Sequence, residues 1–335
     1  QTLRINAQDF EVIKTIATGA VGRVCLVVGK SDRKEYAMKI LKKTDLLTRR
    51  EAGFFMEERN ALVFGNHSRW ITTLYAAFQD DENLYLVMEY IPGGSLRTFL
   101  NAREVTLTED EARFYVAEMV LALEEVHRLH YIHRDLKPDN VLIDHDGHLK
   151  LGDFGSCIRI CGDGQKVRSR ETVGTPDYIS PEILRAQEGN VSYGEEVDLW
   201  SLGIILYEML FDEVPFYSES LVSTYGKIMD HENTLEFPDD VAVSFEAISL
   251  MKSLICNPEQ RLSLTSIKTH SWFREFSWDK VLKLTPPFVP ELEGPRDTHY
   301  FGDEDLGEAK KTRKQPLPKT RDFAGQNLPF IGYTY

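Results

Sequence analysis

Apolar positions change their period once along this chain. Between Phe10 and about Tyr90 they come in short β-type runs: Phe10-Glu-Val-Ile-Lys-Thr-Ile, Arg23-Val-Cys-Leu-Val-Val and Glu35-Tyr-Ala-Met-Lys-Ile, separated by Gly, Asp and Ser. One helix is expected to interrupt them, around Arg50 to Phe64. From Leu96 the pattern is helical. Thr108-Glu-Asp-Glu111 reads as a capping box, and Val116, Met119, Leu123 and Val126 then recur at spacings of three and four. Val197 to Leu210 is apolar on nearly every side, which predicts a helix in the middle of a helical lobe. The globular part is expected to end near Phe273. Beyond it lie Pro-rich and acidic stretches, then Leu306-Gly-Glu-Ala-Lys-Lys-Thr-Arg-Lys-Gln-Pro, whose composition reads as a flexible, solvated loop.

Length and charge narrow the picture. At 335 residues the chain exceeds the size at which one core usually splits, so a strand-rich half and a helical half suit two lobes. A net charge of −14 argues against nucleic-acid binding, which would need a basic stripe to neutralise phosphates, and suits basic substrates. The four cysteines, Cys25, Cys157, Cys161 and Cys256, are too scattered for a disulfide framework, which points to a reducing, cytoplasmic compartment. Cys157 and Cys161 lack the second pair or neighbouring histidine of a zinc site. No apolar run is long enough to span a membrane, and Gln1-Thr-Leu-Arg-Ile-Asn lacks the pattern of a signal peptide.

The chemistry is concentrated in His133-Arg-Asp-Leu-Lys-Pro-Asp-Asn140, followed by Asp153-Phe154-Gly155. Phosphoryl transfer from ATP needs a carboxylate beside the acceptor hydroxyl, a cation on the γ-phosphate and ligands that hold Mg²⁺ on the phosphates. Asp135 can supply the first, Lys137 the second, and Asn140 with Asp153 the third. A loop that merely ties strands together has no need of two carboxylates, a lysine and an amide.

These residues match the protein-kinase signature set, and the chain resembles a protein kinase. In that family a lysine two positions after the catalytic aspartate, here Lys137, marks kinases that act on serine and threonine. Gly19-Ala20-Val21-Gly22-Arg23-Val24, between two expected strands, is similar to the last part of the kinase glycine-rich loop. A dinucleotide-binding loop would run from strand into helix, and here strand follows strand. Ala17 stands at the family's first glycine and Val21 at the loop tip in place of an aromatic, so nucleotide capture is expected to be weaker but not lost. Tyr36-Ala-Met-Lys39 matches the strand whose lysine pairs the phosphates and a helix glutamate. Glu57 and Glu58 are both candidates. Glu58 is preferred, because 58 − 39 = 19 matches the spacing in related kinases and Leu62 one turn later faces the core. The resemblance further implies an adenine site where Ile16, Val24, Ala37 and Leu142 sandwich the ring. The backbone of Glu89 and Ile91 would meet its edge beneath Met88, and Ala17 and Thr18 would flank the loop.

From Asp153 the segment runs through Gly174-Thr-Pro-Asp-Tyr178 to Ser180-Pro-Glu182. With Asp198, Arg261 and the terminal Phe330-Ile-Gly-Tyr333-Thr-Tyr335, these motifs resemble the AGC group. Asp153-Phe-Gly-Ser-Cys157, Trp70-Ile-Thr-Thr-Leu-Tyr-Ala-Ala-Phe-Gln-Asp80 and Tyr225-Gly-Lys-Ile-Met229 look like the myotonic dystrophy kinase branch, which includes kinases that bind Rho-family GTPases. The resemblance implies an α+β, bilobal protein-kinase fold: a β-rich small lobe, a helical large lobe and a C-terminal tail. The expected divisions are an extension over 1–9, the kinase domain over 10–273 and the tail over 274–335. It also implies ATP and Mg²⁺, protein substrates of the actomyosin system, and a cytoplasmic, cytoskeleton-associated site of action. Branch members usually continue into coiled-coil, GTPase-binding and membrane-binding regions, so this chain is expected to be a catalytic fragment with those functions elsewhere. A scaffolding pseudokinase would normally have lost Lys39, Asp135 or Asp153, and none is lost.

Four finer expectations follow from the resemblance. Glu208 and Asp139 match carboxylates that lie near bound substrate arginines, while Ser95 replaces a third, so arginine selectivity is expected but relaxed. Ser95 also weakens the expected ribose contact. Phe330 and Tyr333 are spaced to insert two rings beside the Glu58 helix, and Phe301 resembles the tail aromatic that closes the adenine pocket. Counting back from Thr175, 175 − 4 = 171 places Glu171 where the group usually carries a phosphothreonine, and its carboxylate is expected to meet Arg134.

Overall fold

A computed structural model describes residues 5–19, 22–48, 54–162, 165–171, 173–189, 191–239, 241–301 and 330–335. The alternating runs near the start form strands β1 (Phe10–Thr18), β2 (Gly22–Gly29), β3 (Glu35–Lys42), β4 (Leu74–Gln79) and β5 (Asn83–Glu89). They make one antiparallel sheet in the order β1-β2-β3-β5-β4. Its two faces bury separate sets of side chains, as a strand period of two requires. Phe10, Val27, Met38, Phe78 and Tyr85 form a core of their own on one face, while Leu41, Leu74, Ala77 and Leu86 on the other join the core that runs into the large lobe.

Helix α1 (Lys43–Thr48) leads from β3, and α2 (Phe54–Phe64) carries the glutamate pair. The helix expected from Arg50 is described from Phe54; its first expected turn lies outside the described residues. Below the sheet, α3 (Leu96–Asn101) and α4 (Glu109–Arg128) open the helical lobe. The Thr108 capping box closes in both directions: Glu111 N–H donates to Thr108 Oγ1 at 3.3 Å, and Thr108 N–H donates to Glu111 Oε2 at 2.8 Å.

Short strands β6 (Tyr131–Ile132), β7 (Val141–Ile143), β8 (Leu149–Leu151) and β9 (Ile158–Arg159) carry the motif loops between the lobes. Then come α5 (Pro181–Ala186), α6 (Glu196–Phe211), α7 (Leu221–Met229), α8 (His231–Thr234), α9 (Phe245–Leu254) and α10 (Leu264–Lys268). Helix α6 is buried all round, as its unbroken apolar pattern requires. A side chain at Gly203 would come within 2.8 Å of Leu254 Cβ, so glycine lets α6 approach α9. Residues 274–301 stay against the domain: Phe288 stacks on Phe99 of α3 at 4.9 Å, and Tyr300 packs over Gly94. Among the described residues, no helix is long and apolar enough to cross a membrane.

Candidate active site

The cleft between the lobes encloses a cavity of about 570 Å³. Ile16, Ala17, Thr18, Gly19, Gly22, Arg23 and Val24 line its roof, Lys39 and Glu58 its back, and Asp135, Lys137, Asn140, Leu142 and Asp153 its floor. Phe301 reaches it from the tail. Ala20 and Val21 lie outside the described residues. Ala37, Met88, Glu89 and Ile91 do not line this cavity; Ala37 faces Met88 across β3 and β5, and Ile91 is buried at the turn into the large lobe. The roof is tight where β2 begins. Gly19 N–H donates to Gly22 O at 2.8 Å, and a Cβ on Gly22 would meet Ile40 O at 2.1 Å.

At the back, Lys39 Nζ lies 2.5 Å from Glu58 Oε1 and 2.7 Å from Asp153 Oδ1. Strand β3 and helix α2 therefore hold one ammonium between two carboxylates. Burial pulls the Lys39 pKa down, but the charges of Asp153 and Glu58 prevail and hold it above the usual lysine value. The Lys39 charge holds Asp153 down to about 2. Burial pushes the Glu58 carboxyl up, against the opposing pull of Lys39. Glu57, the alternative partner, makes no contact with Lys39 among the described residues.

The floor is set by Asp198, a buried carboxylate on α6. It accepts the backbone N–H groups of His133 at 2.9 Å and Arg134 at 2.8 Å, and its Oδ2 pairs with His127 Nε2 at 2.8 Å. These bonds hold Arg134 in the left-handed region, at φ 65°, and turn the chain so that Asp135 faces the cleft. Burial works against the Asp198 charge, but His127 and His133 keep its carboxyl below the ordinary value.

Asp135, Lys137, Asn140 and Thr175 meet in one cluster. Lys137 Nζ donates to Thr175 Oγ1 at 2.6 Å and lies 3.1 Å from Asp135 Oδ2, and Thr175 Oγ1 donates to Asp135 Oδ1 at 2.8 Å. Asn140 Nδ2 donates to Asp135 O at 2.8 Å and to Oδ2 at 3.1 Å. Asn140 Oδ1 and Asp153 Oδ2 meet no protein donor among the described residues, and both side chains line the cavity. Two oxygen donors left open at one wall of a cleft suit a hard cation such as Mg²⁺.

One expectation needs correction. Arg134 does not pair with Glu171. Its Nε donates to Ser156 O at 2.6 Å, its Nη1 to Tyr193 OH at 2.9 Å, and its guanidinium lies 4.7 Å over the Phe54 ring, while Nη2 is buried without a partner among the described residues. Among the described residues, Glu171 engages through its backbone N–H, which donates to Ser169 Oγ at 3.3 Å. Glu208 and Asp139, the carboxylates matched to positions near bound substrate arginines, both engage Arg97. Its Nη1 lies 2.5 Å from Glu208 Oε1 and its Nε 3.5 Å from Asp139 Oδ2. Sequence reasoning missed Arg97, which stands in no motif, and it missed the bridging role of Thr175, whose motif was visible.

The two terminal tail rings lie beside α2, as their spacing predicts. Phe330 and Tyr333 are fully buried, with ring centroids 5.0 and 5.9 Å from Phe55 of α2. Tyr335 exchanges two backbone hydrogen bonds with Ala77 of β4, at 2.7 and 3.1 Å. Arg59 of α2 donates to Gly332 O at 2.6 Å. Phe301 stacks on Tyr90 of the hinge at 5.7 Å.

A bilobal fold with a lysine–glutamate clamp above and an aspartate–lysine–asparagine floor below defines a protein kinase, and the chain belongs to that family: "Protein kinase domain" matches residues 10–273. Within it the chain groups with the myotonic dystrophy and MRCK branch of the AGC kinases. It is 51% identical to the serine/threonine-protein kinase MRCK alpha of Homo sapiens, over 99% of this chain and 19% of that protein. It is 50% identical to MRCK beta of Homo sapiens, over 99% of this chain and 20% of that protein. For the serine/threonine-protein kinase Genghis Khan of Drosophila melanogaster the figures are 49%, 99% and 21%. The chain spans about a fifth of the length of the curated relatives it matches.

Proposed function

We propose that this chain transfers the γ-phosphoryl group of ATP to serine and threonine hydroxyls of proteins. The observation that carries the reading is the Thr175 hydroxyl held between Lys137 and Asp135, because it supports a place in the cleft where an aliphatic hydroxyl is oriented by a carboxylate and an ammonium at once. An acceptor hydroxyl beside them would be aimed by Asp135, which takes its proton as the new P–O bond forms. Lys137 faces the charge that develops on the transferred group. Lys39, fixed by Glu58, aligns the α- and β-phosphates. Ile16, Val24, Ala37 and Leu142 enclose the adenine, and the backbone of Glu89 and Ile91 meets its edge. Asn140 and Asp153 would hold Mg²⁺, which when bound neutralises phosphate charge.

The branch resemblance extends the proposal to proteins of the actomyosin cytoskeleton, met in the cytoplasm. It also extends it to dimerisation, GTPase binding or membrane binding through other regions of the relatives. Substrates with basic residues near the acceptor are expected from Glu208 and Asp139, and what those residues meet depends on Arg97. The test is a peptide-array phosphorylation assay with wild type and Asp153→Ala. Transfer to Ser and Thr but not Tyr, abolished in the variant, is expected. Transfer that survives in Asp153→Ala would defeat the assignment.

A further inference from the structure

Strand β5 and strand β8, which leads to Asp153, are joined by a buried ion pair. Glu89 is the last residue of β5. Lys150 stands in the middle of β8, three residues before Asp153 (153 − 150 = 3) and opposite Leu142 on the β7–β8 hairpin. Across 61 positions its Nζ donates to both Glu89 oxygens, to Oε1 at 2.7 Å and to Oε2 at 2.6 Å. The two side chains are only 11% and 18% exposed. Glu89 Oε1 also accepts Thr73 N–H at 2.7 Å, and Glu89 N–H donates to Thr73 O at 2.9 Å. One residue earlier, Thr72 N–H donates to Leu151 O at 3.0 Å, and Leu151 N–H donates to Trp70 O at 2.7 Å. The segment before β4, strand β8 and the end of β5 therefore form one hydrogen-bonded knot.

Resting on the kinase reading, we infer that Lys150 is a positioning residue for the nucleotide. Through Glu89 it fixes the end of β5, whose backbone meets the adenine edge, relative to Asp153 at the phosphate end of the site.

Geometry and burial carry the inference. Glu89 and Lys150 do not line the cavity, so the pair acts on a nucleotide only through the backbone it holds. Strand β8 is fixed without it, by β7 on one side and by the backbone bonds to Trp70 and Thr72. The end of β5 is the part that Lys150 secures. A buried ion pair adds little net stability over apolar packing, but loss of one partner strands the other. Without Lys150 the Glu89 carboxylate keeps the Thr73 N–H and must turn toward water, and β5 loses its side-chain tie to β8. The nucleotide then has to order that end as it binds, and the cost appears as weaker affinity. Asp153 keeps Lys39, and Asp135 keeps Asn140 and Lys137, so turnover at saturating ATP is spared.

The experiment measures the Kd of ATP with Mg²⁺ by calorimetry, and kcat and KM on a synthetic serine peptide at saturating ATP. Lys150→Met should bind ATP roughly tenfold more weakly, the scale of one hydrogen bond to a charged group, with kcat within about twofold of wild type and the peptide KM unchanged. Lys150→Arg keeps a cation that forks onto a carboxylate, and should return the affinity to within about threefold of wild type. Glu89→Gln breaks the pair from the other side. It should weaken ATP binding by several-fold, and adding Lys150→Met to it should cost little more. If Lys150→Met does not fold, Glu89→Gln and Lys150→Arg still read the pair. Unchanged ATP affinity in the folded variants, or losses that add fully in the double variant, overturns the inference. So does a fall in kcat that matches the fall in affinity, which marks a general loss of structure. A wild type that binds ATP but transfers nothing to the peptide overturns the kinase reading, while the affinity comparison still decides the role of Lys150. A wild type that binds no ATP overturns both.

Discussion

The hydroxyl of Thr175 bridges Lys137 and Asp135, accepting from the first at 2.6 Å and donating to the second at 2.8 Å. One side chain of the activation segment thereby fixes two groups of the catalytic loop. Thr175→Val keeps the shape and removes the bridge. Turnover should fall about tenfold or more, the value of one hydrogen bond to a charged group, with little change in melting temperature. Wild-type turnover in that variant would make Thr175 a loop residue without a role in the site.

Lys39 governs the ionisation of Asp153. The Asp153 pKa is depressed, so its pairing contributes stability that is present above the ordinary carboxylate pKa of about 3.9 and is lost as pH falls through about 2. Lys39→Met removes the cause and leaves burial, which acts in the opposite sense. A carboxyl-resolved NMR titration should find Asp153 near 2 in wild type and above the ordinary value in Lys39→Met. The stability gap between the two proteins should narrow between about pH 4 and 2. An Asp153 pKa that stays put in Lys39→Met would show that something other than this lysine holds it down.

The site was legible wherever sequence spacing is itself the geometry. His133 to Asn140 form one tight loop, so Asp135, Lys137 and Asn140 had to converge, and Lys39 with Glu58 follow from a strand that feeds a helix beside it. The tail was legible because two aromatics three residues apart need a groove, and Phe55 offers one. Arg97 was not legible. It reaches from α3 to Glu208 of α6 across 111 positions, and no local pattern marks an arginine as internal. The Glu171 pairing failed for a related reason, since Tyr193, Ser156 and Phe54 compete for the same guanidinium.

In the large lobe, Arg261 and Glu182 form a nearly solvent-free ion pair, at 2.5 and 3.3 Å, that joins the end of the activation segment to the loop after α9. Arg261 also donates to Glu196 O and Cys256 O, both at 2.7 Å. Removing one partner strands a buried charge. Arg261→Met should cost about 3–5 kcal/mol, and the double variant with Glu182→Met should recover a good part of it. Denaturant unfolding measures both, and strictly additive losses would reject the coupling.

Docking of the tail supports α2, and with it Glu58. Phe55 lies three residues before Glu58 and touches both buried tail rings, while Arg59 ties the same helix to Gly332. Phe330→Ala combined with Tyr333→Ala should lower activity several-fold and speed amide exchange across Phe54–Phe64, because the helix loses its outer cover. Unchanged activity would remove the coupling between tail and site.

Activity is expected to need no phosphate on the activation segment, for a reason other than a Glu171–Arg134 pair. The charge of Arg134 is held by neutral groups, Ser156 O, Tyr193 OH and the Phe54 ring, and not by Glu171. A partly exposed Glu171 could add only about 0–1 kcal/mol in any case. Glu171→Ala should therefore keep most of its turnover. Tyr193→Phe, which takes an acceptor from a buried guanidinium, should lose more. Protein treated with phosphatase and verified by mass spectrometry should stay active. The opposite outcome has a structural route, because Arg134 Nη2 is buried with no partner among the described residues and would donate to a phosphate oxygen. If activity collapses on dephosphorylation and returns only with phosphate on Ser169 or Thr172, that nitrogen is the switch and the neutral cage around Arg134 is not enough.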